Sequence, residues 1–185
     1  PNELNNFFSK YDFVLKIDQN SAIPINNSYE TPLSLGMDRL MNAVAASHLF
    51  QENSVLIIDC GTCLKIDFLS SDQGFEGGSI APGLAMRYKS LNHYTHQLPL
   101  LEPKIFNDLI GRSTIDSIHN GVMSGMTNEI IGSINAYLEK YPALKLIITG
   151  GDYHYFQNII EKKAIFAEPD LTLIGINLIL LHNIK

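Results

Sequence analysis

Four short stretches of this chain carry residue types that could do chemistry. Ile58-Asp59-Cys60-Gly61-Thr62 closes an apolar run with the pattern D-x-G-T. A carboxylate at a strand end can hold a cation, the glycine lets backbone amides approach a phosphate, and the threonine hydroxyl adds a donor. The same D-x-G pattern is also ordinary hairpin-turn chemistry. Gly77-Gly78-Ser79-Ile80-Ala81-Pro82-Gly83 reads as a sharply bent segment between strand and helix. It can present amides to an anion or a sugar at a helix N-terminus, or be a tight loop and nothing more. Thr149-Gly150-Gly151-Asp152 again joins strand to helix. No side chain blocks a nucleotide lying over its glycines, and Asp152 is placed to cap the helix. Leu35-Gly36-Met37-Asp38-Arg39, preceded by Tyr29, puts an acid and a base in the first turn of a helix. Asp38 suits the helix dipole there and Arg39 does not, so Arg39 requires a partner: a carboxylate on a small ligand, or a surface ion pair. His93 and His96, with Glu102 as the nearby third ligand, could hold a metal but read better as solvated positions.

These stretches must be positioned by a folded core, and the composition supplies one. The 185 residues are 45% hydrophobic and 17% charged, with a net charge of −6. There is no basic run, which leaves nucleic-acid binding without its electrostatic footprint. No apolar run approaches the ~20 residues that span a bilayer, and the first residues show no signal-peptide pattern. Cys60 and Cys63 straddle a Gly-Thr turn with no second pair, so they read as reduced thiols. The expectation is a soluble cytoplasmic protein with no membrane and no nucleic-acid partner.

A helix or turn is expected over residues 3–10 and an apolar strand over 13–17, followed by an Asn- and Pro-rich loop. Leu40, Ala43, Val44 and Leu49 predict a helix over 38–50. Residues 55–58 form a continuous apolar run, a strand buried on both faces. Leu64, Ile66 and Phe68 alternate with Lys65 and Asp67, predicting a half-exposed strand paired back on it. Helices are expected over 84–98 and 115–138, the second capped by Ser113 or Thr114, with Gly121 and Gly125 permitting close packing. A buried strand over 144–148, a helix over 155–163, a short strand near 171–173 and a helix over 176–182 complete the pattern. Strands alternating with helices, with at least one hairpin, define an α/β class with a mixed sheet.

Taken in order, Tyr29, residues 36–39, Asp59-Cys60-Gly61-Thr62, residues 77–83, Gly111-Arg112-Ser113-Thr114 and Thr149-Gly150-Gly151 resemble the type III pantothenate kinases, also called the Bvg accessory factor family. The similarity runs from about Lys16 to the C-terminus and includes Leu98-Pro99 and Leu171-Thr172-Leu173. The resemblance implies the actin-like ATPase fold of acetate and sugar kinases, Hsp70 and actin, with ribonuclease H-like mixed sheets. Residues 1–53 would be the remainder of a first domain, incomplete at its N-terminus, and 54–185 the second. It implies phosphorylation of pantothenate by ATP with Mg²⁺, the first step of coenzyme A biosynthesis. Asp38 matches the catalytic base. Tyr29, Gly36, Met37, Asp38, Arg39 and Thr114 match pantothenate contacts. Gly61, Thr62, Gly150 and Gly151 match the nucleotide cradle, and Asp59 matches the ligand of an activating monovalent cation, K⁺ or NH₄⁺. It further implies a homodimer whose pantothenate site is completed across the interface, where Thr114 would act. The alternatives are a non-catalytic regulatory relative and another actin-fold small-molecule kinase.

Two features depart from that family. Its members begin with a strand ending in Asp-x-Gly-Asn-Thr that nothing here matches, and the chain opens on Pro1, so a fragment of a longer protein is expected. Lys65 stands where the family usually has Thr. Its ammonium could contact a phosphate, replace the monovalent cation, or point to solvent beside Asp67.

Overall fold

The computed structural model of this chain describes residues 7–11 and 13–184. Helix α1 (Met37–Leu49) is followed by strands β1 (Val55–Cys60), β2 (Cys63–Ser70) and β3 (Gly74–Pro82). Next come α2 (Leu84–His93), α3 (Thr114–Lys140), β4 (Lys145–Thr149), α4 (Gln157–Lys163), β5 (Phe166–Ala167) and α5 (Leu171–Asn183). The five strands form one sheet in the order β3-β2-β1-β4-β5. β1 pairs antiparallel with β2 and parallel with β4. β2 pairs antiparallel with β3, and β4 pairs parallel with β5. The class is α/β with a mixed sheet.

The two-residue period of the strands sorts their side chains onto two cores. Leu56, Ile58, Leu64, Ile66, Phe68, Leu146 and Ile148 face a core closed by Leu84 and Tyr88 of α2 and by the Ile118, Val122, Met126, Ile130 row of α3. Val55, Ile57, Leu69 and Ile147 face the opposite side, closed by Leu40, Ala43 and Ala46 of α1 and Leu171 of α5. The central strand β1 is therefore buried along its whole length. Ser113 caps α3: its Oγ accepts the Asp116 N–H at 3.1 Å, an interaction worth about 1 kcal/mol.

Several expectations change. Residues 13–17 pair with no strand among the described residues, and Phe13 and Val14 stay about half exposed, so this apolar run has nothing to bury against. The helix or turn expected over 3–10 lies partly outside the described residues; Phe7 and Phe8 are helical and a turn follows, with the Tyr11 N–H donating to the Phe8 carbonyl at 3.1 Å. The glycine-rich segment is mostly the edge strand β3 rather than a loop. A Cβ on Gly78 would lie 2.0 Å from the Ile66 carbonyl, so only glycine lets the two strands come this close. α2 stops at His93, five residues before the expected end. The strand expected near 171–173 is instead the first turn of a continuous α5, whose Leu171, Gly175 and Ile179 recur at helical spacing and are buried. The short strand is β5, a few residues earlier. Close helix packing also falls elsewhere: Gly121 and Gly125 have nothing within 4 Å of an added Cβ, whereas one on Gly175 would lie 2.0 Å from the Met41 carbonyl of α1.

Candidate active site at the strand ends

β1 and β4 lie side by side and run the same way, so their C-terminal ends bring Asp59 and Thr149 into register. The turns that follow are interlocked. The Asp152 N–H donates to the Cys60 carbonyl at 2.9 Å, and the Gly83 N–H to the Thr62 carbonyl at 3.2 Å. Gly150 takes φ +92°, and a Cβ there would lie 2.4 Å from the Cys60 carbonyl carbon and 2.6 Å from Asp59 Oδ1. One on Gly61 would lie 3.0 Å from the same oxygen. Glycine at both positions lets two backbones close on one carboxylate. Gly151, by contrast, is exposed with nothing within 4 Å of an added Cβ, and Thr62 is exposed at the hairpin tip. A phosphate can approach here without meeting a side chain.

The polar chemistry lies on the face that α1 covers. The β1–β2 register sets Asp59 directly opposite Lys65, and the period of two puts Asp67 on the same face. α1 brings Asp38, Arg39 and Asn42 down onto that row. Lys65 Nζ binds Asp59 Oδ2 at 2.7 Å and also pairs with Asp38 Oδ2. Asn42 Nδ2 donates to the same Asp59 oxygen at 3.2 Å, and Thr172 Oγ1 of α5 fixes Asn42 by donating to its Oδ1 at 2.7 Å. Asp38 remains the open member, its side chain 51% exposed, against 10% for Asp59 and 13% for Lys65. Lys65 thus does not point to solvent, because α1 roofs the face that the alternation left as polar.

Arg39 is also accounted for. Its Nη2 and Nε grip Asp67 at 2.5 Å, 3.0 Å and 3.1 Å, with both residues buried. Its guanidinium carbon sits 5.4 Å from the Tyr29 ring and 5.5 Å from the Phe75 ring. The carboxylate that its position demanded is Asp67 of the same chain, and Asp67 is not on a solvated face. Tyr29 lies over Gly77, where φ is +120° and a Cβ would lie 3.0 Å from the ring.

Electrostatics follow from this packing. Burial pushes the Asp38 carboxyl up, but the Lys65 hydrogen bond and charge, with backbone amides of the helix start, outweigh it and hold it below its ordinary value. Burial would lower Lys65, yet its bonds to Asp38 and Asp59 raise it, so the ammonium stays charged. Burial pushes Asp152 up and Cys60 strongly up, the latter with help from Asp59, so the Cys60 thiol is protonated and inert. A separate monovalent cation at Asp59 would have to share that carboxylate with the Lys65 ammonium. One oxygen already receives Lys65 and Asn42, and the other faces the side-chain-free positions of Gly61 and Gly150. A second positive charge ~4 Å from the Lys65 ammonium would be repelled by about 4 kcal/mol at an effective dielectric of ~20.

Gly36 offers a clean probe of Asp38. Its φ of −62° and ψ of 128° suit any residue, and it is the N-cap of α1, so Gly36→Ala keeps the fold at a cost of about 1 kcal/mol, alanine being the poorer cap. Its new Cβ would lie 2.7 Å from Asp38 Oδ1 and must push that carboxylate aside. Turnover is expected to fall ~10–100-fold; unchanged turnover would mean that the carboxylate position does not matter.

Thr114 sits apart from this cluster. It opens α3 and lines a cavity of about 950 Å³ with Arg87, Leu91, Leu98 and Gly121, a lining that includes no residue of 36–39, 59–62 or 149–152. The structure therefore gathers Asp38, Asp59, Gly61, Thr62, Gly150 and Gly151 at one end of the sheet, places Tyr29 with Arg39 beside them, and leaves Thr114 lining a different cavity. Sequence reasoning missed Asn42, Asp67 and Thr172. A signal existed for the first, since Asn42 follows Asp38 by four residues and shares its helix face.

Glycine turns at the ends of parallel strands, with a charged cluster beside them, define an α/β protein of the phosphate-handling kind. Comparison with known proteins narrows that class. The family model described as type III pantothenate kinase matches residues 2–136. The type III pantothenate kinase of Christiangramia forsetii is 41% identical over 181 residues, covering 98% of this chain and 74% of that protein. The one from Cytophaga hutchinsonii is 42% identical over 168 residues, covering 91% and 71%. This chain belongs to the type III pantothenate kinase family. A crystal structure of a Campylobacter jejuni protein, named for the Baf family of transcriptional activators, matches with a TM-score of 0.59 at 23% identity, over 99% of this chain and 79% of that one. That is a likeness of fold alone.

Proposed function

We propose that this chain phosphorylates pantothenate with ATP, the first step of coenzyme A biosynthesis. The observation that carries the reading is the convergence of Asp38, the carboxylate open to solvent, with the Asp59–Lys65 pair and the glycine turns at the ends of β1 and β4, in a chain of this family. Phosphoryl transfer requires positioning and charge neutralisation more than covalent chemistry. Gly61, Thr62, Gly150 and Gly151 cradle the ATP phosphates, and Mg²⁺ arriving with the nucleotide neutralises their charge. Asp38 orients the pantothenate hydroxyl and accepts its proton as the γ-phosphoryl group leaves ATP. Its lowered pKa makes it a weak base, which suits a loose transition state in which the proton moves late. Tyr29, Gly36 and Met37 line the approach, and Arg39 supports them from beneath through Tyr29 and Asp67.

The wider architecture belongs to the same proposal. Residues 54–185 form the second unit of an actin-like kinase and 1–53 the remainder of the first, with α1 carrying the pantothenate-binding turn onto the second unit's sheet. The enzyme acts as a cytoplasmic homodimer in which Thr114 reaches the partner's pantothenate site; its separation from Asp38 within one chain supports this. No described helix is long and apolar enough to cross a membrane. The deciding experiment is a coupled ADP-release assay on the full-length natural protein with Mg-ATP. ADP release that depends on pantothenate is expected. A folded protein that binds ATP yet releases no ADP with pantothenate would overturn the reading.

A further inference from the structure

Lys65 is the residue directly opposite Asp59 in the β1–β2 pairing. Lys65 reaches Asp59 Oδ2 at 2.7 Å and pairs with Asp38 as well, so one ammonium lies between two carboxylates. Asn42, itself held by Thr172, completes the coordination of that Asp59 oxygen at 3.2 Å. The Lys65 side chain is 13% exposed and enters from the strand directly opposite, so its charge is delivered by the β1–β2 register rather than recruited from solution. The family resemblance implies a monovalent ion at Asp59, and here the Lys65 ammonium already sits on that carboxylate. A tethered ammonium carries the same single charge to the same carboxylate, and its presence does not depend on salt concentration.

We propose that Lys65 is the built-in monovalent cation of this chain, holding Asp38 beside the transferring phosphoryl group so that catalysis proceeds without potassium or ammonium. The proposal rests on the pantothenate kinase reading for its chemistry and on Asp38, Asp59 and Lys65 alone for its geometry. Lys65 acts through Asp38 and is a positioning residue.

The test uses the full-length protein in two arms. In the first, turnover and melting temperature of the unmodified protein are measured across a potassium series, with tetramethylammonium holding ionic strength constant. Both are expected to stay flat. Activation of several-fold, or a melting temperature that climbs with potassium against the control, overturns the proposal. In the second arm, Lys65→Thr and Lys65→Met open the gap between the carboxylates. Turnover should fall on the order of 10²-fold without added cation and recover at least partly with potassium or ammonium, and the melting temperature should rise with those ions only in the variants. Variants that are as active as the parent, or insensitive to every small cation, overturn it. If neither variant folds, the first arm decides alone. If the protein has no kinase activity, the melting series still reads the cation site, so failure of the functional reading remains distinguishable from failure of this one.

Discussion

Asp38→Asn lowers turnover by on the order of 10²–10⁴-fold while pantothenate affinity stays within a few-fold of the parent. Asparagine keeps the shape and can still accept from Lys65, whose other bond, to Asp59, is unaffected. What disappears is the anionic oxygen that aligns the substrate hydroxyl and takes its proton. An interaction made fully only in the transition state shows in kcat, not in binding. Steady-state kinetics with separate calorimetry of pantothenate binding would check this, and turnover within threefold of the parent would remove Asp38 from the base role. The pH dependence has a matching sign. Because Lys65 and the helix-start amides hold the Asp38 carboxyl below its ordinary value, the parent keeps Asp38 ionised through the usual carboxylate range. Its contribution to stability is present above the unfolded pKa and is lost only as pH falls through the lowered folded value.

Asp67→Asn destabilises the fold by about 3–5 kcal/mol, a large share of the 5–15 kcal/mol typical of a domain. Burial pushes the Asp67 carboxyl up, and Arg39 opposes it through a forked grip. Asparagine leaves the Arg39 guanidinium buried and uncompensated between Tyr29 and Phe75. Arg39→Met leaves the reverse problem and should cost a similar amount. The double variant Arg39→Met/Asp67→Leu should regain most of the loss, because both desolvation penalties vanish together. Urea midpoints of the three variants measure the coupling, and single variants within about 1 kcal/mol of the parent would show that the pair is not buried as described. The double variant also separates two roles of Arg39. Regained stability with weakened pantothenate binding would assign it a substrate role beyond its structural one.

What was legible along the chain was whatever depends on local order. The apolar runs of β1 and β4, the Ser113 cap of α3, the hairpin from β1 to β2 and the glycine turns after Asp59 and Thr149 all follow from residues a few positions apart. The order of those motifs was enough to indicate the family. Local order was less reliable where glycine was involved: residues 77–83 resembled a loop, yet a strand forms because only a residue without a side chain lets β3 lie so close to β2.

The working contacts of the site, by contrast, join residues far apart: Asp38 with Lys65 at 27 positions, Arg39 with Asp67 at 28, Asn42 with Thr172 at 130. The alternation in β2 determined by itself that Lys65 and Asp67 share a face. It could not determine that α1 would cover that face, and this is what turned two apparently solvated charges into a buried ion pair and a clamped ammonium. A strand's period specifies which side chains point together, while burial depends on what packs above them, and only the tertiary structure supplies that neighbour.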